Sequence, residues 1–221
     1  MRGEKVRLRP EEKRSAGRPR SEASRMSILE TAYSFLQSKP LAEISTVHIA
    51  REACVSSATV YRWWSTKEAL LLDAFLHKVD HELVLKAEGS PLERLREYVL
   101  QVGRFFTGAN GIAVARLLTA IQDNSVLRKE FQERVYSPRD REFRALVQEA
   151  ITKRQLPATT EVSEFLDSLI GPLLTRLLIR HERINEPFVM SVFNRVVAGT
   201  TARHRTGAMK TTAHPNTRRS I

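Results

Sequence analysis

Apolar side chains recur at helical spacing along most of the 221-residue chain. Between residues 28 and 36 they fall on one face of a helix, which Lys39-Pro40 would end. The same spacing returns in later segments as far as residue 199, whereas the alternation that is typical of strands never extends beyond a few positions. No internal repeat divides the chain. The pattern therefore predicts an all-α protein of about nine helices.

Residues that can cap free backbone N–H groups mark several of the expected helix starts. Ser45 and Ser56 each precede a short helix. Ser65-Thr-Lys-Glu68 has the order of a capping box and opens a longer fourth helix, and Ser90-Pro-Leu-Glu93 opens the fifth helix in the same way. The first third of the chain thus contains four short or medium helices.

Proline and glycine predict irregularities in the later helices. Pro138 should kink the helix that starts near residue 125, and Gly171-Pro172 should interrupt the helix over 162–179. The apolar positions of the helix over 162–179 extend too far around its axis for one buried face. We therefore expect this helix to lie in the centre of a core or to meet a partner.

The two short helices that follow Ser45 and Ser56 have the features of a helix-turn-helix. Apolar residues stand where the helices would touch, around a small residue, Ala50; they are Ile49, Ala53, Val55, Val60 and Trp63. Cys54 stands in the turn, where glycine is usual. The second helix keeps polar or small side chains for a DNA major groove. A plain helical hairpin is the alternative.

The positive charge is concentrated at the two ends. The net charge is +11; residues 1–25 contain nine basic and four acidic residues, and residues 201–221 contain five basic residues and no acidic one. The ends thus supply ten of the eleven charges, and the middle is nearly neutral. Basic arms favour a polyanion, since binding releases its counterions. Charge alone does not separate DNA-binding arms from RNA-binding or membrane-surface arms.

The sequence lacks the signatures of several other classes of protein. A single cysteine, Cys54, excludes a disulfide framework and a cysteine-rich zinc module. No apolar run approaches a membrane span and no secretory signal is present, so we expect a cytoplasmic protein without a membrane partner. Asp73, His77 and His81 share a helical face, but a solvated face explains them better than a metal site. No phosphate loop, nucleophile elbow or catalytic carboxylate pair indicates an enzyme or a cofactor.

The segments 28–36 and 49–70 resemble the TetR family of bacterial transcriptional regulators, most specifically at Val55-Ser56, Thr59, Val60-Tyr61 and Lys67-Glu68. The resemblance is close over about residues 17–75 and concerns organisation only beyond them. It implies a helix-turn-helix head of three helices, a connecting fourth helix, and a C-terminal helical domain for ligand binding and dimerisation. We therefore expect a flexible basic arm at 1–23, the DNA-binding domain at 24–67, the regulatory and dimerisation domain at 68–202, and a disordered basic tail at 203–221.

The resemblance also assigns residues to DNA. Tyr61 and Lys67 match phosphate contacts of the family, and Thr46 and Ser56 stand at helix N-termini, which favour an anion. Base edges are expected to face Ser57, Ala58 and Arg62. The predicted DNA-binding residues on helices are Thr46, Ser56, Ser57, Ala58, Thr59, Tyr61, Arg62 and Lys67.

Gly17-Arg18-Pro19-Arg20 resembles the minor-groove arms of this family. An arginine is attracted to the negative potential of a narrow A·T-rich minor groove, so Arg18 and Arg20 join the predicted DNA-binding residues. A solvated basic tail is the alternative.

In the C-terminal part, four polar residues lie within or beside apolar helices, where a ligand cavity could use them: Tyr98, Arg104, Arg116 and Gln122. Solvated faces or interhelix salt bridges explain them equally well.

These features predict a homodimeric, sequence-specific regulator of transcription that binds a near-palindromic double-stranded DNA operator. We expect a repressor that an unidentified small-molecule effector releases, and a dimer formed through the last two helices. Two alternatives stay open. One is a helical ligand-binding protein without specific DNA recognition, and the other is a nonspecific nucleic-acid packager driven by its tails.

Overall fold

A computed structural model describes the backbone of residues 22–211 and the side chains of residues 22–202. Within that range it contains nine α-helices, one 3-10 turn (Leu41–Glu43) and no strand, which confirms the predicted all-α fold. The first six helices are α1 (Glu22–Ser38), α2 (Thr46–Glu52), α3 (Ser57–Trp63), α4 (Lys67–Glu82), α5 (Pro91–Phe105) and α6 (Gly108–Asp123). They are followed by α7 (125–152), α8 (162–180) and α9 (Glu186–Thr211).

Two of the long helices contain a π-helical turn. Helix α7 runs through Ser125–Phe131, a π turn at Gln132–Tyr136, and Ser137–Thr152. The irregularity expected at Pro138 is therefore this π turn, which immediately precedes the proline. Helix α8 consists of Val162–Thr175 followed by a π turn at Arg176–Arg180.

The predicted interruption at Gly171-Pro172 is wrong, because the helix continues through both residues. Pro172 has no N–H to donate to the Ser168 carbonyl, so one helical hydrogen bond is lost, but the helix runs unbroken from Val162 to Thr175. The irregularity appears instead one turn later, as the π turn.

The predicted caps are confirmed at three helix starts. The Ser45 hydroxyl accepts from the Val47 N–H at 3.2 Å, and the Ser56 hydroxyl accepts from the Thr59 N–H at 3.1 Å. The capping box between Ser90 and Glu93 is complete.

The capping box predicted on Ser65 is wrong by one residue. Thr66 caps α4, and its hydroxyl accepts from the Ala69 N–H at 3.1 Å. The cap moves because the connection from α3 needs both Trp64 and Ser65 to turn the chain.

The described ends of the chain differ slightly from the expected boundaries. Helix α1 begins at Glu22, inside the arm predicted for 1–23, and residues 1–21 lie outside the described residues. The backbone of α9 is helical to Thr211, beyond the start of the tail predicted for 203–221. No proline follows in the sequence until Pro215, and each added helical residue gains a backbone hydrogen bond. Residues 212–221 lie outside the described residues.

One apolar core joins the N-terminal helices to α6 and α7. It includes Leu29 of α1, Ile49 of α2, Val60 of α3 and Leu117 of α6, all fully buried. This core crosses the boundary that was predicted at residue 67. The N-terminal helices α1–α3, called the head below, are therefore packed directly on the remaining helices, called the body.

A second core lies inside the body. Helices α5, α7, α8 and α9 contribute Leu95, Val147, Leu169 and Phe193 to it. Gly103 of α5 allows α9 to approach closely, because a Cβ at this position would lie 2.5 Å from a methyl group of Val189. The last two helices thus form one side of the body.

Candidate nucleic-acid interface

The turn between α2 and α3 has the left-handed residue that the sequence pattern requires. Cys54 has a φ of 54°, its N–H donates to the Arg51 carbonyl at 3.1 Å, and the Val55 N–H donates to the Ala50 carbonyl at 2.9 Å. These two bonds are those of a Schellman motif, which ends α2 and redirects the chain into α3. The turn therefore fixes the direction of α3 although it contains no glycine.

Helix α3 exposes one face and buries the other. Val60 is fully buried, and Ala58, Tyr61 and Arg62 are exposed. Ser57 and Thr59 are half-buried at the sides of the exposed face. The predicted residues of α3 are thus brought together on one surface of a helix of seven residues.

Thr46 does not lie open on this surface. Its side chain is buried, and its hydroxyl is hydrogen-bonded to the Tyr61 hydroxyl at 2.9 Å. The tyrosine itself is 53% exposed. Thr46 therefore orients the phenol of Tyr61 and ties the start of α2 to the exposed face of α3.

The first turn of α2 adds two exposed residues that the sequence pattern does not single out, Val47 and His48. They follow the capping residue Ser45 directly. The signal that could have identified them is their position in the first turn of a helix whose N-terminus adjoins Tyr61.

Lys67 lies at the start of α4, half-buried, and its ammonium group donates to the Leu41 carbonyl at 2.9 Å. An ammonium group has three donors, so this bond leaves capacity for a phosphate oxygen. The Ser56 hydroxyl is engaged as the cap of α3 and also bonds the Thr59 hydroxyl at 2.9 Å. Arg18 and Arg20 lie outside the described residues.

The two tryptophans at the end of α3 differ in burial. Trp64 is buried in the core, and its indole N–H donates to Asp73 of α4 at 2.8 Å. Trp63, expected among the core contacts, is half-buried and packs against the same core, and the Arg25 guanidinium lies 5.7 Å from its ring centroid. Helix α3 ends at Trp63, so the next residue leaves the helix and turns inward.

The four residues predicted for a ligand cavity do not meet in one place. Tyr98 is buried and lines a cleft of about 520 Å³ between α4, α5 and α7. Arg116 lines a second cleft, of about 460 Å³, beside α6 and the end of α8. Arg104 is exposed and pairs with Glu97 and Glu186.

Gln122 is exposed and donates to the Leu118 carbonyl of its own helix at 3.1 Å. The structure therefore does not bring the four residues together, because two of them project from the outer faces of their helices. Instead, the first cleft contains Arg134 and Arg139 of α7. The sequence pattern does not select them, since nothing in the helical spacing shows that a π turn directs both toward α4.

The histidine pair on α4 is a local arrangement. The ring centroids of His77 and His81 lie 4.3 Å apart, and the Nδ1 atom of His81 is hydrogen-bonded to the His77 carbonyl at 2.8 Å. Partial burial, and then the neighbouring His81, lower the pKa of His77. Across the described residues, no three His, Cys, Asp or Glu side chains are grouped so that they could hold a metal ion.

None of the helices within the described range combines the length and apolar composition of a membrane span.

Two family models match the chain. The model described as bacterial regulatory proteins, tetR family, matches residues 28–74, and the model described as tetracyclin repressor-like, C-terminal domain, matches residues 85–196. Among relatives, the HTH-type transcriptional regulator YdeS of Bacillus subtilis (strain 168) is 31% identical over 193 residues, which cover 87% of this chain and 98% of that protein. EthR of Mycobacterium tuberculosis (strain CDC 1551 / Oshkosh) is 34% identical over 119 residues, covering 51% of this chain and 55% of EthR.

Solved structures share the fold. The TetR family transcription regulator SCO0332 superposes with a TM-score of 0.66 at 24% identity, covering 80% of this chain and 98% of that chain. The regulator FadR of Bacillus subtilis, solved in complex with stearoyl-CoA, gives a TM-score of 0.67 at 18% identity and covers 79% of this chain and 98% of its own. The arrangement of head and body is thus common to these proteins.

Proposed function

Because this chain belongs to the TetR family of bacterial transcriptional regulators, we propose that it reads an operator with the exposed face of α3. The observation that carries this assignment is the surface formed by Ala58, Tyr61 and Arg62 opposite the buried Val60. An α-helix with its side chains is about 10–12 Å across, which suits a major groove about 12 Å wide. The protein acts as a repressor that a small-molecule effector releases.

The side chains on this surface have different roles. Arg62 addresses guanine, while Ser57 and Ala58, near the start of α3, face neighbouring base edges. Tyr61 and Lys67 bind phosphates, and the hydroxyl of Thr46 holds Tyr61 in place. The N-terminus of α3, with Ser56 and Thr59, faces the backbone, and Arg18 and Arg20 extend into the adjacent minor groove.

The charge distribution supports recognition by a few side chains. The ends carry ten of the eleven net positive charges, and the middle of the chain is nearly neutral. Specificity then depends on contacts such as that of Arg62, and the ends contribute attraction that does not depend on sequence.

The dimer forms through α8 and α9. Leu174 and Leu178 are half-buried along the side of α8 that faces away from the core residue Leu169. A Cβ added at Gly171 or at Gly199 would meet nothing within 4 Å, so small residues stand on both helices where a second copy can approach closely. A two-fold dimer presents two heads, and the operator is therefore near-palindromic.

Replacing Arg62 tests whether the exposed face of α3 reads the operator. Operator fragments are first selected from random DNA with the full-length protein, and binding is then measured for Arg62→Ala on the selected sequence and on single-base variants of it. We expect a loss of about 5- to 150-fold, corresponding to about 1–3 kcal/mol, together with a changed base preference. Arg96→Ala, an exposed arginine of α5, is the matched control. Unchanged affinity across the variant panel would contradict the assignment.

A salt titration separates this function from nonspecific packaging, which the basic ends favour. Affinity is measured at several salt concentrations on the selected operator and on random duplex. A specific regulator keeps a large affinity ratio between the two duplexes, whereas a packager shows steep salt dependence with a ratio near one.

Replacing Leu174 tests the dimer. We expect Leu174→Arg to raise the dimer dissociation constant at least about tenfold, because the charge would be buried between two copies. Light scattering and sedimentation measure the mass, and circular dichroism checks the fold. Val126→Arg is the control, since Val126 is an apolar residue of α7 that is 68% exposed. A Leu174→Arg protein that stays dimeric would place the interface elsewhere.

A further inference from the structure

The cleft between α4, α5 and α7 combines an apolar wall with paired charges. Leu76, Leu83 and Pro138 supply apolar surface, and the charged lining consists of two acidic and two basic residues, Asp80, Glu142, Arg134 and Arg139. Its volume, about 520 Å³, lies within the range of about 300–1,000 Å³ that small-molecule sites occupy. One side of the cleft is α4, the helix that connects the head to the body.

Arg139 in this cleft has a donor without an acceptor. Its Nη1 donates to the Val135 carbonyl at 3.1 Å and its Nη2 donates to Asp80, but its Nε is buried and has no hydrogen-bond partner. Such an orphaned donor on a charged group is costly, which indicates that an acceptor belongs there. Nε and Nη2 form one edge of the guanidinium, the edge that a carboxylate binds with both oxygens. Asp80 uses only half of that edge.

The surroundings of Arg139 favour exchange of its carboxylate partner. The Asp80 side chain is 63% exposed, whereas that of Arg139 is 19% exposed, so the aspartate can move into water while the guanidinium stays. Tyr98 lies beside the guanidinium: burial raises the pKa of the phenol, and the charge of Arg139 and a hydrogen bond between the two side chains oppose that rise. The phenol therefore stays protonated at neutral pH and can donate a further hydrogen bond.

The second cleft is less suited to an anion although it contains more basic residues. Arg176 there pairs with Glu182 at 3.3 Å, donates to the Arg183 carbonyl at 2.9 Å and stacks on Phe188. Arg116 donates to the Leu36 carbonyl at 2.8 Å. These guanidinium groups already have partners inside the protein.

We infer that the cleft between α4, α5 and α7 binds an organic monocarboxylate with an apolar chain. Its carboxylate accepts from Nε and Nη2 of Arg139 in place of Asp80, and its chain lies along Leu76 and Leu83. The inference rests on the proposed function, since it makes this cleft the effector site of the regulator.

A polar relay connects the same cleft to the end of α3. Arg134, which lines the cleft, pairs with Asp73 of α4, and Asp73 accepts from the indole of Trp64, the residue that ends α3. Arg134 lies in the π turn of α7, a kind of turn that is frequent at functional sites. When the ligand releases Asp80 from Arg139, α4 stays tied to α7 through Asp73 and Arg134. A shift of α4 is then passed to Trp64 and α3.

Binding is tested on the full chain without DNA. The probes are straight-chain monocarboxylates from acetate to decanoate and the matching primary amides, and the readouts are thermal shift and titration calorimetry. We expect a medium-chain acid, but not its amide, to bind the unsubstituted protein. Arg139→Gln should weaken binding at least about tenfold, and Asp80→Asn should strengthen it about threefold because a competing carboxylate is lost. Arg141→Gln, an exposed arginine of the same helix, should leave binding unchanged.

The opposite directions expected for the two variants keep the test informative even if one of them folds poorly. The inference is overturned if no acid in the series binds, if acid and amide bind equally, or if Asp80→Asn weakens binding. It is also overturned if Arg183→Gln, in the second cleft, removes binding while Arg139→Gln does not.

Operator affinity tests the relay separately. The acid should reduce operator affinity of the unsubstituted protein about tenfold, and Asp73→Asn should bind the acid normally but lose this effect. Asp123→Asn, an exposed acid of α6, is the control. A full effect of the acid in Asp73→Asn would overturn the relay. If the protein binds no operator even without acid, the proposed function fails while the binding result in the absence of DNA still stands.

Discussion

Two contact regions of different chemistry bear on the position of the head: one joins α1 of the head to α6, and the other joins α4, the body helix that packs against α1, to α7. In the first, called the α1–α6 seam, apolar packing around Leu117 is combined with neutral hydrogen bonds to Asn110. In the second, called the α4–α7 seam, the pairs Asp73–Arg134 and Asp80–Arg139 lie beside an open cleft. Buried apolar contacts are stable and indifferent to salt, whereas partly exposed ion pairs contribute little and exchange partners readily. The first seam therefore fixes the head, and the second can adjust it.

Asn110 is the centre of the polar part of the α1–α6 seam. Its side-chain oxygen accepts from the Tyr33 hydroxyl at 3.0 Å and from the Gln37 amide at 2.9 Å, and its side-chain nitrogen donates to Glu82 at 2.9 Å. Burial, and then the charge of Glu82, raise the pKa of Tyr33, so the phenol remains a donor. One residue of the body thus holds helix α1 and the end of α4 together.

Removing apolar volume from the α1–α6 seam should have the largest effect. Leu117→Ala removes a fully buried side chain from the core that the head shares with α6, and we expect the free energy of unfolding to fall by about 2–5 kcal/mol. Denaturant unfolding is followed by tryptophan fluorescence, which reports the head, and by circular dichroism. Leu169→Ala is the matched change in the second core. If the fluorescence transition of Leu117→Ala precedes the helix transition, the head is an independent unit and the comparison fails.

Removing the polar centre of the same seam should have an intermediate effect. Asn110→Ala leaves Tyr33 and Gln37 without their acceptor in a partly buried contact, and we expect a loss of about 1–3 kcal/mol. Gln122→Ala, on the exposed face of the same helix, should change stability by less than about 0.5 kcal/mol. Thermal and denaturant unfolding measure both variants. Equal stability of the two would show that water replaces Asn110 without cost.

The sequence predicted which side of α3 is exposed, because local rules determine it. Ser45 and Ser56 can cap only the helices that follow them, and the interval from Ser56 to Val60 fixes which side of a short helix is buried. The error here is a shift of one residue, from Ser65 to Thr66. It arises where the connecting turn needs one residue more than the pattern of apolar positions shows.

The clefts of the body were not predictable in this way. Arg134 and Arg139 reach the same cleft because Arg134 lies in a π turn that ends shortly before Arg139, and because α4 packs against α7. Neither fact is visible in helical spacing. Arg104 and Gln122 were selected for a cavity because they are polar residues beside apolar ones in the sequence. In the structure both are exposed. Side chains from different long helices meet only through tertiary packing. Local sequence rules do not predict that packing.

Breaking the α4–α7 seam should have the smallest effect on stability. A double-mutant cycle with Asp73→Asn and Arg134→Gln isolates their pairing energy, and we expect at most about 1 kcal/mol, since the two side chains are 23% and 41% exposed. The coupling should shrink further as salt is raised, because screening acts on partly exposed charges. Stability is measured by denaturant unfolding of the four proteins at low and high salt. A coupling of several kcal/mol that salt leaves unchanged would mean that this seam is as rigid as the α1–α6 seam, and the head would then have no adjustable attachment through which a ligand could act.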